Sequence, residues 1–327
     1  MALTDGFGRV MTNLRLSVTD RCNLRCVYCM PAHPEWMPQP EILTFEELER
    51  LARVAVSLGI REFRVTGGEP TARRDLPELI RRLAAIPGVR DLAMTTNGIL
   101  LTKLAAPLRE AGLHRLNISL DTLQGEKFVH LARRDGFRQT WEGIEAADRA
   151  GFRPLKINMV VLRGVNDDEV VDFAAMARTR AWQIRFIEFM PLDGDGLWSR
   201  DQVVPAREIL DRIHARWPLD GGGDGPLRDP ARIYRFQDGL GDIGVIASVT
   251  EPFCGSCDRL RVTPDGKLRT CLFSTWETDL KGPMRAGASD EDLAALFRSA
   301  VAKKESGHGI NDEHFVKPAR AMHAIGG

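Results

Sequence analysis

From residue 13 to about 190, short apolar or β-branched runs alternate with longer stretches whose apolar residues return every third or fourth position. The short runs predict strands over 13–18, 61–66, 91–95, 115–120, 155–161 and 183–189, each ending in a loop-forming residue. The longer stretches predict helices. Thr44-Phe-Glu-Glu47 reads as a capping box ahead of Leu48, Leu51, Val54, Ala55 and Leu58, which share one helical face. Asp75-Leu-Pro-Glu78 opens the next helix, and Pro87-Gly88 stops it. Three more fall over 100–112, 139–151 and 166–179.

Six strand–helix units in series imply a parallel sheet with right-handed crossovers. A curved, barrel-like sheet and a doubly wound open one both satisfy that pattern. The character changes after Met190. Segments 192–198 and 221–226 are turn-rich, with a helix over 206–216 and strands over 233–236 and 243–249. This predicts a larger unit over residues 1–190 and a smaller C-terminal domain over 191–327.

Lys+Arg and Asp+Glu both number 45, so net charge makes no case for a nucleic-acid or membrane-surface binder. An anionic partner must then meet a local basic patch. The first residues lack a basic-then-apolar signal pattern, and no run approaches the roughly 18 apolar residues of a membrane span. The expectation is a cytoplasmic protein.

The 6 cysteines fall as two triplets, Cys22/Cys26/Cys29 and Cys254/Cys257/Cys271. Three plus three suits two metal sites better than disulfides in a reducing compartment. Three thiolates can hold three irons of a [4Fe–4S] cluster and leave the fourth open to a small chelating molecule, a role that the amino and carboxylate groups of S-adenosylmethionine (SAM) suit. The alternative is structural zinc, which wants four protein ligands. Near the first triplet only His33 offers itself, and near the second no fourth ligand is close in sequence, His214 and His308 being distant.

A parallel sheet gathers its ligand site at the C-terminal ends of its strands. Those ends read Thr66-Gly-Gly-Glu-Pro70, Thr95-Thr-Asn-Gly98 and Asn117-Ile-Ser-Leu-Asp121, followed by Lys156 and Asn158, then Arg185, Glu188 and Met190. Gly67 and Gly68 would admit close backbone approach, although such pairs also serve as plain turns. Between Cys257 and Cys271 the sequence reads as a hairpin over 259–271 with its turn at Pro264-Asp-Gly266, which returns Cys271 to the other two cysteines. Arg259 and Arg261 share one face of that hairpin, and Arg269 would join them from the partner strand. Convergent guanidiniums make a phosphate clamp, worth roughly 1.5–3 kcal/mol per charge-assisted bond. Arg15, Arg64 and Lys156 would face the same cavity, which suits a small phosphorylated anion.

The first triplet, with Tyr28 before its last cysteine, resembles the C-x3-C-x2-C signature of the radical SAM superfamily. From Leu14 onward the chain resembles the GTP 3′,8-cyclase family of molybdenum cofactor biosynthesis, on both triplets, Thr66–Pro70, Thr95–Gly98, 186–191, Asp258 to Arg261 and the tail ending Gly326-Gly327. The resemblance implies an α/β fold: a partial (β/α)6 TIM-like barrel of the radical SAM type with a smaller C-terminal α+β extension. It implies two [4Fe–4S] clusters, on Cys22, Cys26 and Cys29 and on Cys254, Cys257 and Cys271, with SAM as cofactor. Tyr28, Gly68, Ser119 and Met190 would contact SAM. Arg15, Arg64, Thr95, Lys156, Arg259, Leu260 and Arg261 would contact GTP. Cys22, Cys26, Cys29, Arg259 and Arg261 would carry the catalysis.

The implied reaction starts from a 5′-deoxyadenosyl radical that removes the ribose 3′ hydrogen of GTP, and C3′ then bonds to guanine C8. The implied partners are GTP, an electron donor and, for the product, cyclic pyranopterin monophosphate synthase, with no nucleic acid and no membrane. The protein would be a monomer or homodimer. The Gly326-Gly327 tail could thread into the site or simply fray. Two other readings compete: a radical SAM enzyme with an auxiliary cluster that modifies a peptide or protein, and a non-catalytic redox or iron sensor. The sensor would call for a DNA-binding segment, and none stands out.

Overall fold

The computed structural model describes residues 2–180, 182–222 and 229–326. The first strand–helix units are β1 (Asn13–Ser17), α1 (Phe45–Ser57), β2 (Glu62–Thr66), α2 (Leu76–Ala84), β3 (Asp91–Thr96), α3 (Leu101–Glu110) and β4 (Arg115–Ser119). Two helices, α4 (Gly125–Ala132) and α5 (Phe137–Arg149), lead to β5 (Leu155–Val161), and α6 (Val170–Thr179) leads to β6 (Trp182–Glu188). All six strands run parallel in chain order. The six strands predicted from periodicity are all present, with ends displaced by a residue or so. The helix α4 carries no strong sequence start and is an addition.

The C-terminal third extends the same sheet at both ends. After α7 (Ala206–Arg216) come β7 (Arg232–Arg235) and β8 (Asp242–Ile246), and β8 pairs in parallel with β6. Then β9 (Arg259–Val262) pairs in parallel with β1, followed by β10 (Lys267–Arg269) and β11 (Thr278–Asp279). Among the described residues the order is β11-β10-β9-β1-β2-β3-β4-β5-β6-β8-β7. This is an open α/β sheet, consistent with a partial barrel and a C-terminal extension. The chain closes with α8 (Lys281–Arg285), α9 (Asp290–Ala302) and α10 (Met322–Ile325).

The two-residue strand period divides the sheet into a dry face and a polar face. Leu14, Leu16, Phe63, Val65, Ile157 and Ile184 point outward and are fully buried beneath the helices. Their neighbours Arg15, Arg64, Asn158 and Arg185 line a cavity on the other face. Thr44 caps α1 as its sequence predicts, with Glu47 completing the box. Asp75 does not cap α2 through its side chain: it sits at φ 58°, a left-handed conformation that Asp tolerates better than most residues. The turn-rich reading of 221–226 falls partly on residues 223–226, which lie outside the described residues.

The extension is fastened to the core by Glu188. Its buried carboxylate accepts hydrogen bonds from the backbone N–H groups of Ala206 (2.8 Å), Val249 (2.7 Å) and Thr250 (2.8 Å), and from the Thr250 hydroxyl. Removing it orphans all these donors at once. Glu188→Ala should therefore lower unfolding stability by about 2–4 kcal/mol, read as a fall in the urea midpoint. An unchanged midpoint would contradict this role.

Candidate functional site

The loop after β1 carries the first triplet. Arg25 N–H and Val27 N–H donate to the carbonyls of Ala132 and Leu131 in the last turn of α4 (2.8 and 2.9 Å), and Cys29 N–H and Met30 N–H both fold back on the Cys26 carbonyl. Tyr28 donates its hydroxyl to Asp121 Oδ2 at 2.6 Å, while Asp121 Oδ1 accepts from Val160 N–H at 2.8 Å. The aromatic before the last cysteine thus ties the loop to the ends of β4 and β5. Burial pushes the Asp121 carboxyl up to about 6.

At the end of β2, a Cβ on Gly68 would lie 2.6 Å from the Arg21 carbonyl and overlap that of Asp20. Only glycine lets this turn pack against the cysteine loop. Glu69 beside it is buried and accepts from the Thr96 hydroxyl (2.6 Å) and Asn97 N–H (2.7 Å), locking the ends of β2 and β3 together.

All 6 cysteines are free thiols and line one cavity of about 300 Å³. Burial, followed by the charge of Glu69, pushes the Cys22 thiol up to about 12. Burial raises Cys26 and Cys29 as well, with Asp121 and their fellow thiols adding to it. Such thiols become ligands when a highly charged centre displaces their protons. Among the described residues, no group of three His, Cys, Asp or Glu side chains converges to hold a single metal ion. Zinc needs that convergence, with ligands about 2.0–2.3 Å from one centre. Thiolates around a [4Fe–4S] cluster bind separate irons and do not need it.

His33 is exposed and is not part of the cavity wall. His308, by contrast, lines the cavity, and its backbone hydrogen-bonds to the Cys254 thiol. Distance in sequence was therefore a poor guide to its place. The sulfur of Cys257 accepts from Arg259 Nη2 at 3.3 Å, and that guanidinium lies 4.7 Å from the Phe253 ring centre.

Between the triplets the wall is cationic. Sheet register sets Arg261 of β9 beside Arg15 of β1, and Arg15 beside Arg64 of β2. Burial, then repulsion from neighbouring guanidiniums, pulls Arg15 well below its usual value, Arg64 to about 10 and Arg261 to about 9. Arg185, named from its strand end but not assigned a ligand, joins this wall and falls to about 10 through burial. Lys156 falls to about 7, through burial first and then Arg185, Arg115 and Arg64.

Buried polar atoms without partners include Arg15 Nε, Arg259 Nε, Ser17 Oγ, Asn117 Oδ1 and Asn158 Oδ1. The guanidiniums suit a polyanion, and the amide oxygens suit hydroxyl or ammonium donors. Arg269 does not join the clamp. Although it lies beside Arg261, it is ion-paired to Glu277 at 2.5 Å and bonded to the Ser274 carbonyl.

Of the residues named from sequence, Arg15, Tyr28, Arg64, Gly68, Thr95, Ser119, Met190, Arg259 and Arg261 line the cavity with the cysteines. Lys156 shares the inward face of β5 with Asn158 but is not in the wall itself, and the Leu260 side chain is buried in the apolar core. The C-terminal tail reaches the cationic wall of the chamber. The Gly326 carbonyl accepts from Arg261 Nη1 at 3.0 Å, and at φ 88° its Cα packs where a Cβ would lie 2.6 Å from that of Ser17. Gly327 lies outside the described residues.

Comparison with known proteins agrees with this geometry. Residues 16–177 match the radical SAM superfamily, and residues 182–310 match Molybdenum Cofactor Synthesis C. The chain is 48% identical over 333 residues to a GTP 3′,8-cyclase of Rhodopirellula baltica, covering 100% of this chain and 92% of the relative. It is 47% identical over 328 residues to a GTP 3′,8-cyclase of Streptomyces coelicolor, covering 99% and 96%. Among solved structures, SuiB of Streptococcus suis bound to S-adenosylmethionine has a TM-score of 0.67 at 14% identity, over 97% of this chain and 78% of that one, a likeness of fold. With two cysteine triplets on one chamber and these two relatives matched over nearly their whole length, the chain belongs to the GTP 3′,8-cyclase family of the radical SAM superfamily.

Proposed function

We propose that this chain is a GTP 3′,8-cyclase. It converts GTP, with SAM and a reductant, into (8S)-3′,8-cyclo-7,8-dihydroguanosine 5′-triphosphate, the first step of molybdenum cofactor biosynthesis. The observation that carries the reading is one cavity walled by both cysteine triplets and by buried and half-buried arginines between them. A peptide-modifying relative would have less use for so many inward cations.

In this reading Cys22, Cys26 and Cys29 hold the first [4Fe–4S] cluster, and Cys254, Cys257 and Cys271 hold the second. When bound, the first cluster and SAM supply the 5′-deoxyadenosyl radical that removes the 3′ hydrogen. Tyr28, Gly68, Ser119 and Met190 form the SAM side of the chamber. Arg15, Arg64, Thr95, Arg259 and Arg261 hold GTP from the cavity wall, Lys156 adds its charge from the inward face of β5, and Leu260 contributes through its backbone, since its side chain is in the core. The phosphates relieve repulsion among these cations. Binding energy is thereby coupled to one orientation of the ribose.

We assign residues 1–190 to the radical SAM core and 191–327 to the domain of the second cluster. The reading extends to a cytoplasmic monomer or homodimer, served by an electron donor, that passes its product to cyclic pyranopterin monophosphate synthase. Among the described residues no helix is long and apolar enough to cross a membrane.

The test is anaerobic incubation with SAM, a reductant and GTP. GTP-dependent 5′-deoxyadenosine is expected, and its absence would remove the cyclase assignment. Cys26→Ala should abolish SAM cleavage even with GTP present. Arg259→Ala combined with Arg261→Ala should weaken GTP binding while slow uncoupled cleavage persists; unaltered GTP affinity would reject the clamp.

Lys156 gives a pH test. At pH 8 an amine with its pKa near 7 is largely neutral. A triphosphate alongside favours the charged form, so binding should draw in close to one proton. Calorimetry in two buffers of different ionisation enthalpy measures this uptake. It should vanish in Lys156→Met, and equal binding heats in both buffers for the unaltered protein would refute the placement of Lys156.

A further inference from the structure

Lys304 follows α9 and was not singled out by any sequence motif. It is 4% exposed, an unusual state for a lysine. An ammonium has three N–H donors, and here each has an acceptor. One goes to the Thr270 carbonyl, one to the Arg259 carbonyl at 3.3 Å, and one to Cys257 Sγ at 4.0 Å. Thr270 immediately precedes Cys271, and Arg259 lies two residues beyond Cys257. A single cation therefore joins the two arms of the hairpin at the point where both present a cysteine.

The site is also electrostatically lopsided. Cys257 takes a second cationic contact from Arg259 Nη2 at 3.3 Å, whereas the thiol of Cys254 is met by the His308 backbone. The neighbouring Glu305 does not pair with Lys304. Its carboxylate is engaged by Trp276 Nε1 (2.6 Å), the Ser274 hydroxyl (3.0 Å) and the Thr270 hydroxyl (3.1 Å). The ammonium charge is thus directed at the cysteine site. Iron–sulfur potentials depend on net charge and on hydrogen bonds to the sulfurs, and positive charge nearby favours the reduced cluster.

We propose that Lys304 is a positioning residue of the second cysteine site: it fixes the Cys257 and Cys271 arms relative to one another and raises the reduction potential of the cluster they hold. This rests on the two-cluster reading above. It goes beyond that reading by assigning the tuning of the second cluster to a side chain that is neither a ligand nor a wall of the cavity.

The experiment uses the full chain with both clusters, as Lys304→Met and Lys304→Arg, reading iron per chain and the midpoint potential of each cluster by electron paramagnetic resonance. The first cluster serves as the internal reference. In Lys304→Met the second cluster should shift to a more negative potential, or be lost selectively, while the first is unmoved. Lys304→Arg keeps the charge and should bring the potential and occupancy back toward the original.

A Lys304→Met protein with both clusters present and both potentials unaltered would overturn the proposal. So would equal loss in the two variants, which would mean that packing and not charge is at work. Should the unaltered protein bind only about four irons, the two-cluster reading itself falls and takes this proposal with it.

Discussion

Three guanidiniums stand abreast on neighbouring strands, Arg261 buried and Arg15 and Arg64 half-buried, along the wall of one cavity. Like charges at directly opposed sheet positions repel, and burial removes the solvent that would screen them. The fold accepts this cost because the outward residues of the same strands, Leu14, Leu16, Phe63 and Val65, are packed in the apolar core. The conflict is resolved when a polyanion enters. A triphosphate would do so in a chamber that is walled by both cysteine triplets.

The carboxylates of the chamber have a different task. Glu69, Asp121 and Glu188 sit at the ends of β2, β4 and β6, where sequence reasoning expects ligand contacts. Each is largely occupied with backbone N–H groups or hydroxyls of adjoining loops. They hold the cysteine loop and the C-terminal extension in place. With those anions tied down, the arginines are left largely uncompensated, so the same polar ring supplies both a rigid frame and a cationic interior. The tail adds to the closure: the backbone of His323 bonds to Cys29 and the Gly326 carbonyl to Arg261, linking the last helix to both ends of the chamber.

Strand positions and the face each residue takes were readable because a period of two is local and β1 to β6 follow one another in the sheet. The cysteine spacings were readable for the same reason. What escaped was long-range. Nothing near Arg259 announces that β9 will lie beside β1, which carries Arg261 next to Arg15. Arg269 looked equivalent to its neighbours until Glu277, eight residues on, was seen to neutralise it. His308 and Lys304 approach the second triplet only through tertiary packing. One local signal was legible yet unused: Ser289 with Asp292 forms the box that starts α9, and α9 delivers Lys304.

The central claim is that two clusters with open irons face one shared chamber, SAM meeting one and GTP the other. Electron paramagnetic resonance of the reduced protein, with each ligand added separately, tests it most directly. SAM should alter the signal of the cluster on Cys22, Cys26 and Cys29, and GTP that of the cluster on Cys254, Cys257 and Cys271. A second-cluster signal indifferent to saturating GTP would contradict the account.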